Sequence, residues 1–380
     1  RPHIRIVSTN RNYPGAWHRL AASTMAANDI EWFGLFEYSG GGKFERLYTP
    51  WKDNALEESS QPGSSDKPVL LYAHGWQRGA YKSPAPESFI TSQEVYGEER
   101  DVAEPWLQAG YRVLCFMWVP FADENDLATA EQKIWTAGKD QVQRWRNRDG
   151  NFQDVRGATG IGQAFFEAYR TVVMGAPRIH LVGHSLGTQM VGRLLEQILE
   201  QSDRSLARLP ERVTLLDPYF SNFAKSYLDG RWTGEQVREA IRQAAEAGCA
   251  IEQVASSAVL DNPLSDSNGE LRFHTAYFVL NPDFIKLAYG PRDVEVLANR
   301  HSFARYAYLA SLCSGQQPAV EGEHSSGLAS RTDAEVRPMM TSEFHWVQKG
   351  GDRWDPETLI FERRGGSACF AKPKVAVQYA

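Results

Sequence analysis

From Val69 to about Leu312, short apolar runs alternate with segments of helical periodicity. Continuous apolar runs of four to eight residues read as strands buried on both faces. Their alternation with helices predicts an α/β protein whose mostly parallel sheet carries helices on both faces. The expected strands are Val69–Ala73, Val113–Val119, Ile179–Val182, Val213–Leu216, Ala250–Ala255 and Phe273–Leu280. Ile161, Phe165, Tyr169 and Val172 form one helical stripe, and Val191, Leu194, Leu195 and Ile198 a second. A third helix is predicted over 234–247, with Thr233 and Gln236 as its capping box and Gly248 as its stop. Residues 122–157 are charged, and the expectation there is a solvent-exposed helix and an insertion.

The flanks differ from this core. Residues 1–67 hold two aromatic-rich runs around Ser39-Gly40-Gly41-Gly42, which read as an N-terminal β-hairpin belonging to the main sheet, then a polar link. Residues 68–313 form the expected core. Residues 314–380 begin as a polar stretch and end in short strand-like pieces (Glu343–Val347, Thr358–Phe361, Val375–Tyr379) whose place, in the sheet or beside it, the pattern leaves open.

Composition narrows the function classes. A net charge of −6 offers no basic footprint for nucleic acid. No apolar run reaches membrane-spanning length; the longest, Val113–Phe121, suits a buried strand. The chain opens at Arg1 without a charged n-region or apolar h-region, so either a leader has been removed or the sequence was trimmed. Of four cysteines, Cys115 lies in an apolar run as a buried thiol, while Cys313 and Cys369 flank the polar C-terminal stretch and could staple it in a secreted protein. No C-x-x-C pair exists to hold zinc.

Gly183-His184-Ser185-Leu186-Gly187 sits between an apolar run and a helical pattern. The bare G-x-S-x-G pattern would arise by chance in roughly one chain in ten of this length. Between a strand and a helix it becomes a nucleophile elbow, with the serine on a sharp turn. An alcohol needs a base, and the base needs an acid to hold its tautomer. In the order Ser, acid, His, the acids past a strand are Asp217, Asp261 and, less well placed, Asp283. Asp217 ends an apolar run, at the strand end where α/β sheets place reactive groups. Asp261 is the alternative acid. His301 and His274 follow within the core, and His324 and His345 lie beyond it. His301 is expected at a loop-to-helix junction before an amphipathic helix, whereas His274 falls inside a predicted strand and reads as packed. The oxyanion site needs backbone N–H donors; Leu186 follows the nucleophile, and Trp76 follows Gly75 after an early strand.

These residues resemble the pancreatic lipase family of neutral lipases over about residues 69–312. His74-Gly75-Trp76 is similar to that family's His-Gly-Phe segment, the serine pentapeptide to its elbow, and Leu216-Asp217-Pro218 to its Leu-Asp-Pro. The family sets Asn directly before its histidine, whereas here Arg300 separates Asn299 from His301. The family's cysteine framework and C-terminal lipid-binding sandwich have no counterpart. The resemblance implies an α/β-hydrolase fold and a secreted serine hydrolase, with the cytoplasm as the alternative compartment. Ser185, Asp217 and His301 would cleave carboxylic esters, lipid acyl esters first, with no metal or organic cofactor. The expected partners are a small-molecule or lipid ester and, transiently, a lipid interface. Trp76, Tyr81, Phe89, Trp118, Tyr219 and Phe220 are expected to line an apolar acyl pocket, with segments 77–98 and 219–232 as covers. Alternatives are a short-chain carboxylesterase, an acyltransferase, or a catalytically silent lipid-binding protein on the same fold.

Overall fold

The apolar runs become strands, and two of them, β3 (Val69–Ala73) and β9 (Ala250–Ala255), have the boundaries the pattern predicts. A computed structural model of the chain describes residues 30–51, 66–83, 87–203, 207–257, 259, 265–280, 293–312, 320–321, 324–326, 328–351 and 359–365. Asp261, Asp283, Cys313, Cys369 and the strand-like piece at Val375–Tyr379 lie outside the described residues.

In chain order, β1 (Phe33–Tyr38) and β2 (Phe44–Tyr48) precede β3, which leads to α1 (Gln93–Tyr96), α2 (Glu104–Gln108) and β4 (Arg112–Trp118). Then come α3 (Val119–Ala122), α4 (Leu127–Trp135), β5 (Val142–Arg146), β6 (Phe152–Arg156), α5 (Ile161–Ala168) and β7 (Ile179–His184). The chain continues through α6 (Gly187–Leu199), β8 (Arg212–Leu216), α7 (Thr233–Glu246), β9, β10 (Ala276–Val279) and α8 (Asp293–Ala310). It ends with β11 (Val320–Glu321), β12 (His324–Ser326), α9 (Asp333–Val336), β13 (Phe344–Gly350) and β14 (Ile360–Gly365).

Among the described residues the result is an α/β protein around a 12-stranded sheet of order β11-β12-β14-β13-β10-β9-β8-β7-β3-β4-β1-β2. Strands from β13 across to β4 pair in parallel. The β1–β2 hairpin joins the sheet antiparallel to β4, and the C-terminal strands join its other side through β13. Alternating side chains feed two cores. Val69, Leu71 and Ala73 pack under α4 to α7, while Leu70 and Tyr72 pack under α2, α8 and α9. The chain passes from β3 to β4 on one side, then returns to build β7 to β10 on the other. That reversal at β3 is a topological switch point, where open α/β sheets form their ligand crevice at the carboxyl ends of the strands.

Several local expectations are corrected. The helix in 122–157 is α4, and it is largely buried because its charges find partners; Glu131 is sealed and Lys133 Nζ lies 2.7 Å from Glu124 Oε1. Residues 142–156 form the separate β5–β6 hairpin. A single π-turn at Tyr169–Val173 advances the α5 stripe, so that Val173 rather than Val172 is buried. α7 caps one residue early, on Trp232, whose N–H donates to Glu235 Oε2 at 3.0 Å. His274 lies in a 3-10 turn, Gly269–His274, before β10 instead of within a strand. Among the described residues no helix is long and apolar enough to cross a membrane.

Candidate active site

Ser185 follows β7 directly with φ at 57°, a left-handed conformation that a side-chain-bearing residue rarely adopts. Its N–H donates to Leu216 O at 3.0 Å, across to the end of β8, and its carbonyl accepts from Thr188 Oγ1 at 2.7 Å. Two glycines make the turn possible. A Cβ on Gly75 would lie 2.6 Å from Ser185 Cβ, and one on Gly187 would lie 2.0 Å from Ala73 O. The loop after β3 and the start of α6 therefore interlock around the serine, and any larger residue would push them apart. Non-glycine residues held at positive φ cluster at functional sites.

Asp217, just past the end of β8, also takes a positive φ (43°). Its carboxylate is buried and accepts from the Ser256 N–H at 3.1 Å, the Ser257 N–H at 3.3 Å and the Ser257 hydroxyl. The other partner of Oδ2 is His301 Nδ1 at 2.8 Å. Because an ionised carboxylate can only accept, Nδ1 carries the proton and Nε2 is left as the basic nitrogen. His301 sits within α8 rather than at a junction before it. That turn of α8 is clamped by Ser256, whose hydroxyl donates to Arg300 O at 2.5 Å and accepts from Ala304 N at 3.0 Å.

Ser185 Oγ makes no hydrogen bond among the described residues; its chain neighbour His184 is hydrogen-bonded to His301. His184 Nε2 donates to His301 O at 3.0 Å, and the two imidazoles lie 4.7 Å apart. Nucleophile–base hydrogen bonds are often long without substrate and tighten in the reacting complex. Ser185 itself is 7% exposed and the His301 side chain 17% exposed.

The two expected oxyanion donors are Leu186, next to Ser185 in the chain, and Trp76, next to Gly75, whose backbone approaches Ser185. Among the described residues neither the Leu186 nor the Trp76 backbone N–H has a hydrogen-bond partner. Leu186 caps the N-terminus of α6, whose dipole favours negative charge there. Trp76 is half-buried, with its indole N–H on Glu124 O at 3.0 Å. His74 sets this loop. Its Nε2 accepts the Trp118 N–H at 2.9 Å, so Nδ1 bears the proton and donates to Gly75 O at 2.9 Å. Burial pushes His74 down to about 3, keeping the imidazole neutral.

The remaining expectations fare differently. Phe89, Trp118 and Phe220 are sealed in the cores, and only Trp76 and Tyr81 of the six aromatics remain half-open. Phe89, Trp118 and Phe220 cannot line an open acyl groove as placed. Segment 219–232 is tied down by the buried Glu131 carboxylate, which accepts from Ser221 N at 3.0 Å, Ser221 Oγ at 2.7 Å and Tyr227 OH at 3.2 Å. His345 lies on β13, several strands from β7, and His324 on β12. Missing from the sequence-based set were Ser256, Ser257, Glu87, His184 and Arg305. Of these, His184 stood inside the serine pentapeptide already noted, whereas Glu87 carried no signal at all. Among the described residues no group of three or more His, Cys, Asp or Glu is arranged to hold a metal ion. Neither family models nor curated proteins give a match to this chain.

Proposed function

We propose that the chain is a serine hydrolase of the α/β-hydrolase type that cleaves carboxylic esters, lipid acyl esters foremost, through an acyl-enzyme on Ser185. The observation that carries the reading is the Asp217–His301 pair, 2.8 Å between Oδ2 and Nδ1, beside a serine held at positive φ on the neighbouring strand end. In the proposed cycle His301 Nε2 accepts the Ser185 proton as Oγ bonds to the ester carbonyl carbon. The N–H groups of Leu186 and Trp76 receive the oxyanion. When the tetrahedral intermediate collapses, His301 returns the proton to the departing alcohol. Water, deprotonated by the same imidazole, then releases the acid and restores the serine. Preorganised N–H donors of this kind each contribute about 10²–10³-fold in rate.

A second reading, a short-chain carboxylesterase, is favoured by the burial of Phe89, Trp118 and Phe220, which leaves few aromatics to receive a long acyl chain. A series of p-nitrophenyl esters of increasing chain length, with a triglyceride emulsion, separates the two. The lipase reading expects activity that rises with chain length and above the solubility limit; activity that peaks at short chains selects the esterase. Asp217→Asn should lose about 10⁴-fold in kcat and Asp261→Asn should stay active. No turnover of any ester by the wild type would remove both readings.

A further inference from the structure

His184 is joined to Ser185 by a peptide bond and to His301 by a hydrogen bond, a combination no other described residue has. Its Nε2–H donates to the carbonyl of His301 at 3.0 Å. A carbonyl can only accept, so the proton sits on Nε2 and Nδ1 is a bare acceptor. That Nδ1 is buried without a hydrogen bond and faces Glu87 Oε1 at 3.8 Å. The carboxylate of Glu87 is itself held on several sides. Arg305, one turn beyond His301 on α8, pairs with it, Tyr72 OH donates to it at 2.5 Å, and Gln77 donates to its other oxygen. Burial and the neighbouring imidazole lower His184 to about 3, so it stays neutral beside the base at any working pH.

The base's helix is thus read twice by one cluster: His184 binds the carbonyl of His301 and Glu87 binds the side chain of Arg305. We infer that His184 is a positioning residue that sets the spacing between Ser185 Oγ and His301 Nε2, while Glu87 holds the same helix separately through Arg305. The inference rests on the proposed role of Ser185 as nucleophile. Asp217 fixes the tautomer and tilt of the imidazole; His184 fixes where along the crevice that imidazole stands relative to the serine. A group acting in this way lowers the rate of the chemical step when removed and leaves substrate binding alone.

The test compares His184→Leu, which cannot donate, with His184→Gln, whose amide nitrogen reaches the place of Nε2. The readouts are kcat and KM on a p-nitrophenyl ester and the rate of Ser185 modification by a small fluorophosphonate. For His184→Leu both rates should fall about tenfold to hundredfold while KM stays within about twofold, and His184→Gln should recover to within about threefold of wild type. His184→Asn, too short to reach the carbonyl, should be as slow as His184→Leu and stands in for it if the latter does not fold. Wild-type rates in His184→Leu or His184→Asn, or His184→Gln no faster than they are, would overturn the inference. Should wild type label on Ser185 while the His184 variants are indifferent, only this inference falls. If wild type does not label at all, the nucleophile reading fails and takes the inference with it.

Discussion

Two clusters on the same helix contain the same chemistry and differ in everything else. At one, α8 presents His301 to Asp217, with Ser185 just past the end of β7. At the other, one end of β7 presents His180 to Thr214 Oγ1 at 2.8 Å and to Tyr308 OH at 3.2 Å, and that hydroxyl donates to Glu252 Oε2 at 2.6 Å. Arg212 closes this second network, with Nε on Glu252 at 3.0 Å. Each cluster has an imidazole, a carboxylate and a hydroxyl. The His180 cluster is wholly sealed between sheet and helix, and its side chains take ordinary backbone positions. The His301 cluster stands at the carboxyl ends of the strands, keeps part of its imidazole exposed, and includes two residues at positive φ. The ingredients alone therefore do not distinguish a candidate active site from a staple; access, strain and place in the sheet do.

Between them, α8 is pinned along one stripe. His301, Arg305 and Tyr308 meet Asp217, Glu87 and Glu252 in turn. Helical spacing of four and three residues puts these three on one face. On this account the sealed end holds the helix so that the open end can react.

The comparison breaks most sharply if the acids are exchanged in role. Asp217→Asn should cost about 10⁴-fold in kcat, the loss expected when an amide leaves the imidazole in the wrong tautomer, with little change in urea unfolding. Glu252→Gln should do the reverse. It strips the buried Arg212 of its closer carboxylate, leaving only Asp333 at 3.6 Å, at a cost of about 3 kcal/mol in urea unfolding, while kcat per folded molecule is retained. Equal losses of both kinds in both variants would mean that the clusters are not separate.

A smaller effect sharpens the same contrast through pH. Burial holds His180 well below its ordinary value, and His74 and His184 down to about 3. In the unfolded chain these imidazoles titrate near 6.5. Stability is therefore complete above about pH 6.5 and is lost as pH falls toward the folded values, at up to about 1.4 kcal/mol per pH unit for each histidine. Above about pH 5 the carboxylates contribute little to this slope, since their unfolded values lie lower. Urea midpoints taken from pH 7 to pH 5 should fall, and His180→Gln should remove its share of the slope. An unchanged slope would show that His180 is protonated in the folded protein.

Much of the fold could be read from the chain because apolar runs and turns are local signals. Val69–Ala73 and Ala250–Ala255 announce themselves, and the serine pentapeptide marks the strand-to-helix turn whose φ the glycines permit. What escaped were features in which charge is buried by a distant partner. α4 looked solvent-exposed because Glu131 is satisfied by residues remote in sequence, Gln189 and Ser221, and Lys133 by Glu124 on the loop before the helix. α8 looked amphipathic only from His301 onward because its inward face carries His301 and Arg305, each meeting an acid from elsewhere. Glu87, in a polar stretch like many others, becomes legible only when Arg305 and Tyr72 converge on it. The C-terminal strands left their place undetermined because β13 and β14, though paired on both sides, mix apolar and charged positions and lack the continuous apolar run of the central strands.

The central claim is that Ser185 is a nucleophile. Its most direct test is the intact mass of the wild-type chain after exposure to a fluorophosphonate, followed by peptide mapping. One adduct on Ser185, absent in Ser185→Ala and slow in Asp217→Asn, is the predicted result; no adduct, or one that maps to another residue and persists in Ser185→Ala, would contradict it.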